Sequence, residues 1–180
     1  SAARNRGLGI AQGTYIAFLD ADDTWETSFL ARMVGALQER PDAVLAYCGW
    51  QNLGLPTGDG ERFVPPDYEC PGKLEVLFAS CRWPIHGALT RREAIVRAGG
   101  FSLDLHNAED YLLWLQVAID APIVRVPEVL AYYHFHDPAQ QMSRATPARA
   151  ALAHANAQRR YLATHREVAR TLGRRAVRKH

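Results

Sequence analysis

Three carboxylates fall within four residues of this sequence, at Asp20, Asp22 and Asp23. They directly follow residues 14–19, a short and almost wholly apolar run that predicts a buried strand. Carboxylates this close repel one another unless solvent, helix amides or a cation offsets the charge. Mg²⁺ and Mn²⁺ suit carboxylate oxygens combined with phosphate oxygens. The cluster therefore predicts a divalent-metal and phosphate site, with a helix cap and a solvated turn as the simpler alternative.

A second acidic pair, Glu109 and Asp110, opens an apolar segment that predicts a helix over residues 109–121. Acids are favourable in the first turn of a helix, and Asn107 is a suitable cap, so a structural role is the simpler interpretation. An aspartate here could also serve as a general base, because partial burial beside another acid raises its pKa. The residues alone leave both interpretations open.

Trp83 and His86 precede a predicted strand over residues 85–90. Aromatic faces suit sugar rings, so these two residues predict an acceptor pocket, with burial in the core as an equal alternative. Residues 52–72 contain four Pro and four Gly and predict a long loop. That loop would be either a lid over a site or a surface insertion.

Short apolar runs alternate with amphipathic segments along the chain, which predicts the elements that must position these residues. Such alternation predicts an α/β fold with a mostly parallel sheet flanked by helices. In open α/β sheets ligands bind at the carboxyl ends of the strands, where the acidic cluster lies. The predicted helices cover residues 2–12, 27–40, 73–80, 91–98, 109–121 and 147–172, and the predicted strands cover 14–19, 43–47, 85–90, 123–126 and 129–133.

The overall composition is that of an ordinary folded domain. The chain has 180 residues, of which 48% are hydrophobic and 22% charged, and its formal net charge is +2. No recognised nucleic-acid motif is present, so we expect no nucleic-acid partner. The three cysteines have no CxxC spacing and predict reduced thiols. With no apolar run of membrane-spanning length, these features predict a cytoplasmic protein.

The end of the sequence is strongly basic. We expect a domain over residues 1–146 and a basic helical extension over residues 147–180. The extension is either a solvated face or a peripheral contact with the anionic inner face of a membrane, where each basic residue contributes about 1 kcal/mol. Its basic residues are Arg159, Arg160, Arg166, Arg170, Arg174, Arg175, Arg178 and Lys179.

Ala3-Arg4-Asn5-Arg6-Gly7, followed by residues 11–23, resembles the central signature of family 2 glycosyltransferases, which have the Rossmann-like GT-A fold. The resemblance makes Asp20-x-Asp22 a DxD motif. It implies that Asp20 contacts the donor nucleoside and that Asp22, helped by Asp23, binds Mg²⁺ or Mn²⁺ on the donor diphosphate. Arg4 and Asn5 are expected to contact the donor as well.

Two further segments are similar to the family, in the family's order. Gly99-Gly100-Phe101 followed by Glu109 and Asp110 is similar to its Gly-Gly-Phe and Glu-Asp segment, which implies that Asp110 is the catalytic base with Glu109 beside it. Tyr133-His134-Phe135-His136, with Ser143 beyond, is a weaker match. It implies that His136 is a phosphate contact or a third metal ligand.

The resemblance implies an inverting hexosyltransferase. The enzyme would move a sugar from a nucleotide-diphosphate sugar to a hydroxyl of a glycan or lipid-linked acceptor, as in cell-envelope polysaccharide synthesis. The family also has an N-terminal nucleotide-binding strand segment that these residues do not supply, so we expect a fragment. One alternative is a donor-incompetent domain that binds only metal or a partner. Another is a nucleotidyltransferase, although no glycine-rich phosphate loop is visible.

Overall fold

The computed structural model describes residues 1–136 and 146–177. Ser143, Arg178 and Lys179 lie outside the described residues, as do the side chains of Arg174 and Arg175. The helices are α1 (Ala2–Ile10), α2 (Phe29–Glu39), α3 (Lys73–Ala79), α4 (Arg92–Arg97), α5 (Glu109–Ala118), α6 (Pro147–Thr164) and α7 (Arg166–Val177). The strands are β1 (Tyr15–Ala17), β2 (Thr24–Trp25), β3 (Leu45–Leu53), β4 (Ala88–Arg91) and β5 (Ile123–His134), and a 3₁₀ turn at Ile85–Gly87 leads into β4.

The strands form one sheet in the order β1-β4-β3-β5-β2. The longest pairing, between β3 and β5, is parallel, whereas β4 is antiparallel to both β1 and β3, and β2 is antiparallel to β5. β1, β3 and β5 therefore run in one direction. The predicted α/β fold is confirmed, with a sheet that is mostly but not wholly parallel. β4 runs against its neighbours because the chain leaves β3 and enters β4 at the same edge of the sheet.

The central strand β3 separates two hydrophobic layers. Leu45 and Tyr47 face the larger core, which includes most of α5, whereas Ala46 and Cys48 face α2. All four side chains are fully buried. This burial on both faces explains why β3 reads as a continuous apolar run rather than as an alternating one.

The helix α6 packs on the same core as α5. Its residues Ala157 and Tyr161 are buried in the larger cluster, and Gln158 Nε2 donates a hydrogen bond to the Phe78 carbonyl at 2.7 Å. The single basic helix predicted over residues 147–172 is in fact two helices, since α6 ends before His165. The domain boundary at residue 146 stays a prediction. Across that boundary, α6 packs into the core formed by the preceding residues.

Two other elements differ from the prediction. β5 is one strand rather than two. Its pairing register with β3 shifts at Gly49, beside Pro127, because proline cannot donate a ladder hydrogen bond. A side chain at Gly49 would bring its Cβ within 2.5 Å of the Phe63 carbonyl oxygen.

The loop predicted over residues 52–72 starts later, after Leu53, and folds back so that Phe63 pairs with Trp50. It therefore packs against the sheet.

Candidate active site

The acidic cluster lies at the edge where β1 and β5 both end. Asp22 Oδ2 lies 3.6 Å from His136 Nε2, and the two side chains are 57% and 43% exposed. These residues are distant in sequence and meet because the strands before them run in the same direction. The structure thus brings together two of the residues that the sequence assigned to metal binding.

The separation of Asp22 and His136 suits a shared Mg²⁺ or Mn²⁺ ion. Adjacent ligands of an octahedral ion at about 2.1 Å lie roughly 3 Å apart, so a small adjustment of two exposed side chains suffices. Within residues 1–136 and 146–177, no group of three His, Cys, Asp or Glu side chains is placed to hold an ion. This donor set fits an ion that takes its remaining ligands from a substrate diphosphate and water.

Asp23 is placed differently from Asp22. Its Oδ2 lies 3.1 Å from His86 Nδ1, and both side chains are 1% exposed. Its Oδ1 accepts a hydrogen bond from the His134 backbone N–H at 3.1 Å. These contacts correct two predictions: Asp23 faces inward rather than sharing an ion with Asp22, and His86 is not exposed to an acceptor. The acids cannot all face one ion because residues 20–23 form a tight turn, closed by the Asp23 N–H and the Asp20 carbonyl. In this turn the Asp22 side chain is exposed and the Asp23 side chain is buried.

Trp83 is a core residue. Its side chain is 2% exposed and stacks on Tyr47 with ring centroids 4.7 Å apart. Tyr68 and Trp114 complete the aromatic cluster. The predicted role of Trp83 in an acceptor pocket is therefore corrected, because no face of the indole is open to a sugar ring.

Arg4 joins the two acidic motifs. Its guanidinium donates to both carboxylate oxygens of Asp20, at 2.7 and 2.9 Å, and to Glu109 Oε1 at 3.1 Å. Burial alone lowers the pKa of Arg4, but the hydrogen bond with Asp20 and the negative charges of Asp20, Glu109 and Asp110 outweigh it and raise the pKa. Arg4 is therefore a fixed cation between the acidic loop and the start of α5.

Asn5 secures the segment that precedes α5. Its amide donates to the Phe101 carbonyl at 2.8 Å and accepts from the Phe101 N–H at 2.9 Å. Gly100 has φ +72°, and a Cβ there would lie 2.8 Å from Asn5 Oδ1, so this position requires glycine. The structure thus engages both ends of the Asn5 amide internally, while the expected donor contact of Asn5 stays a prediction.

Asp110 is half-buried in the first turn of α5, after Ala108, which has a left-handed backbone at φ +61°. Burial raises the pKa of Asp110, and the neighbouring charge of Glu109 raises it further. The Tyr111 N–H, which donates to Asp110 Oδ1 at 2.8 Å, and the charge of Arg4 oppose this without cancelling it. A carboxylate with a raised pKa is a stronger base than an ordinary aspartate.

Three residues of this region were not identified from the sequence in the roles that the structure gives them. Arg4 was expected to contact the donor but links two motifs, and His86 pairs with Asp23. His134 Nε2 lies 2.8 Å from Thr24 Oγ1, a contact that ties β5 to β2. No spacing rule signals such pairs, because each joins segments far apart along the chain.

Residues 1–59 match the family described as Glycosyl transferase family 2. Over 149 residues the chain is 30% identical to the uncharacterized glycosyltransferase YibD of Escherichia coli (strain K12). The matched region covers 76% of this chain and 42% of YibD. The chain belongs to the family 2 glycosyltransferases. A second relative is the UDP-Glc:alpha-D-GlcNAc-diphosphoundecaprenol beta-1,3-glucosyltransferase WfaP of Escherichia coli, which is 28% identical over 74% of this chain and 51% of WfaP.

The GT-A fold is supported by a solved structure. S. aureus TarS 1-349 in complex with UDP-GlcNAc matches 79% of this family 2 chain and 40% of TarS with a TM-score of 0.61 at 19% identity. At that identity the likeness shows the fold alone. The chain thus spans about half or less of the length of these proteins. Within the part of the chain that the structure describes, no helix is long and apolar enough to cross a membrane.

Removing the Arg4 cation should destabilise the protein. We expect Arg4→Met to lower the free energy of unfolding by about 1–3 kcal/mol, because it leaves Asp20 and Glu109 close together without their shared cation. Urea unfolding of both proteins measures the change. Arg32→Met is the matched control, since Arg32 also pairs with a carboxylate, Glu128, but on an exposed surface. Equal effects of the two substitutions would contradict the linking role of Arg4.

Proposed function

We propose that this chain forms part of the active site of an inverting, metal-assisted glycosyltransferase of the hexosyltransferase class. The observation that supports this best is the Arg4 network, in which one guanidinium holds Asp20 of the acidic loop and Glu109 of α5. Asp22 lies two residues after Asp20, and Asp110 directly follows Glu109. This arrangement supports a donor site and a general base that lie side by side near one edge of the sheet.

At the donor side, Asp22 and His136 would hold Mg²⁺ or Mn²⁺ together with the two donor phosphates. When bound, the ion supplies a positive charge that stabilises the departing nucleoside diphosphate. Arg4 adds positive charge near the same edge and places Asp20 for the nucleoside. Groups fixed in advance where charge develops give the largest rate gain.

At the acceptor side, Asp110 takes the proton from the acceptor hydroxyl. The hydroxyl oxygen forms its bond to C1 of the sugar as the bond between C1 and the diphosphate oxygen breaks, so the electron pair leaves with the nucleoside diphosphate. One base and one displacement give inversion at C1. The raised pKa of Asp110 suits this step, because the carboxylate must bind a proton in the transition state.

The named relatives suggest donors and acceptors to test. TarS was solved with UDP-GlcNAc, and WfaP is named for UDP-glucose and a diphosphoundecaprenol-linked sugar. We propose a UDP-hexose donor and a glycan or lipid-linked acceptor of cell-envelope polysaccharide. The exposed Arg159, Arg166 and Arg170 on α6 and α7 favour peripheral contact with an anionic membrane at its inner, cytoplasmic face.

The function can be tested by donor turnover in the full-length protein. UDP-, GDP- and dTDP-sugars are incubated with Mn²⁺ or with EDTA, and released nucleotide and product configuration are followed by NMR. We expect Mn²⁺-dependent release of a nucleoside diphosphate from one donor, with an inverted product. Release of pyrophosphate in a parallel incubation with nucleoside triphosphates would instead indicate a nucleotidyltransferase. Metal binding without turnover of any donor would indicate a binding domain.

A further inference from the structure

The pair of Asp23 and His86 is buried and has no part in the reaction described above. Their contact is 3.1 Å and both side chains are 1% exposed. Within the described part of the chain, His86 Nε2 has no hydrogen-bond partner, and Asp23 Oδ2 has none beyond its contact with His86 Nδ1. Burying a carboxylate and an imidazole with unfilled hydrogen bonds is costly, and apolar residues of similar volume often replace such a pair without loss of stability. Stability alone is therefore a weak explanation for the pair.

The pair joins segments that carry the proposed metal residues. Asp23 belongs to the acidic loop after β1 and binds the His134 N–H at the end of β5. His86 lies in the turn before β4, its carbonyl accepts a hydrogen bond from Trp25 Nε1 at 2.7 Å, and its ring stacks on Tyr133 with centroids 5.9 Å apart. The acidic loop, β2, the β4 turn and the end of β5 thus meet at this one buried contact.

Asp22 and His136 are the surface continuations of the same two segments. Asp22 is the residue before Asp23, and His136 lies two residues after His134. Their 3.6 Å separation depends on how the acidic loop is held against the end of β5. The Thr24 contact with His134 Nε2 is an exposed tie between nearby positions, so the buried pair is the stronger constraint.

We infer that His86 is a positioning residue: through Asp23 it holds Asp22 and His136 at the separation that a divalent ion and a diphosphate require. The inference rests on the proposed function. It assigns His86 a role that reaches the ion only through Asp23 and the backbone to Asp22, with no contact to the donor or the acceptor. Residues that orient metal ligands in this way commonly change metal affinity or activity by about 10- to 100-fold when they are replaced.

Three substitutions in the full-length protein test the inference. His86→Leu removes the contact, whereas His86→Asn keeps an N–H donor near the position of Nδ1. Thr90→Val is the control, because Thr90 is also 1% exposed, lies in β4 four residues after His86, and has a hydroxyl without a hydrogen-bond partner in the described residues. Mn²⁺ affinity in the presence of UDP is measured by electron paramagnetic resonance, together with donor KM, kcat and urea unfolding.

We expect His86→Leu to weaken Mn²⁺ binding in the presence of UDP by about 10- to 100-fold and to raise the donor KM, with His86→Asn recovering most of the loss. Wild-type Mn²⁺ affinity in folded His86→Leu, or an equal loss in Thr90→Val, would overturn the inference and leave the proposed function standing. If His86→Leu does not fold, Asp23→Asn decides in the same way, since it keeps an oxygen for the His134 N–H. A wild type that neither binds Mn²⁺ with UDP nor turns over a donor would overturn the proposed function, and the inference with it.

Discussion

Asp110→Asn should slow sugar transfer by about 10²- to 10⁴-fold, because it removes the group that accepts the acceptor proton. Asparagine has nearly the shape of aspartate, so the first turn of α5 and its Tyr111 contact should be kept. Donor binding should be unchanged, since Asp110 acts on the acceptor side. Measurements of kcat and of UDP affinity on the same preparation separate these two effects.

Asp104→Asn is the control for the loss of the Asp110 charge. Asp104 lies on the same approach to α5 but is exposed and pairs with Arg160 at 2.7 Å. We expect this variant to keep wild-type turnover. If Asp110→Asn retained full activity, or lost activity only in proportion to lost UDP binding, the assignment of Asp110 as the base would be wrong.

The raised pKa of Asp110 gives this prediction a pH dependence. Only the ionised carboxylate accepts a proton, so kcat/KM should fall as the pH drops through the pKa of Asp110, at a higher pH than for an ordinary aspartate. Removing the Glu109 charge by Glu109→Gln should lower that pKa and move the acidic limb of the profile to lower pH. An unchanged limb in this variant would show that another group sets it.

Asp22→Ala should remove Mn²⁺-dependent turnover, with a loss of about 10²-fold or more in kcat/KM at a fixed Mn²⁺ concentration. Asp22 Oδ2 and His136 Nε2 lie 3.6 Å apart and are the two proposed protein ligands of the ion, so the substitution leaves only His136. The folded structure should be kept because Asp22 is exposed. The loss is measured as donor turnover against Mn²⁺ concentration, and directly as Mn²⁺ binding in the presence of UDP.

Asp42→Ala makes the same change of charge at the opposite edge of the sheet, just before β3 begins, and serves as the control for Asp22. We expect its Mn²⁺ titration to match that of the wild type. Should Asp22→Ala show the same Mn²⁺ dependence as the wild type, the ion would have to be held elsewhere and the proposed donor site would fail.

Much of the layout could be predicted because helical periodicity and apolar runs are local signals. The bounds of α2, α3 and α5 lie within a few residues of the predicted ranges. The rule that sites form at the carboxyl ends of strands placed the acidic cluster, whereas the role of His136 beside Asp22 followed from the family resemblance. The reversed direction of β4 and the two residues of β2 were missed, since pairing partners and strand direction depend on contacts between distant segments.

The individual side chains were harder to predict than the elements. Asp22 and Asp23 are neighbours of the same residue type, yet one is exposed and the other buried, because the turn points them in opposite directions. Trp83 before a predicted strand gave no sign of whether its ring faces solvent or core. Which side of the backbone a residue occupies in an irregular segment depends on backbone angles that the sequence pattern does not reveal.

The packing of α6 on α5 has a thermodynamic consequence. Gln158 and Tyr161 of α6 lie against the helix whose first turn contains Asp110 and against its neighbour Phe78. If α6 and α5 move as one unit through these contacts, a ligand that binds α6 more tightly in one position than in another also biases the position of α5. Linkage makes this bias reciprocal, so occupancy of the acceptor site and attachment of α6 to any external surface would each alter the affinity of the other.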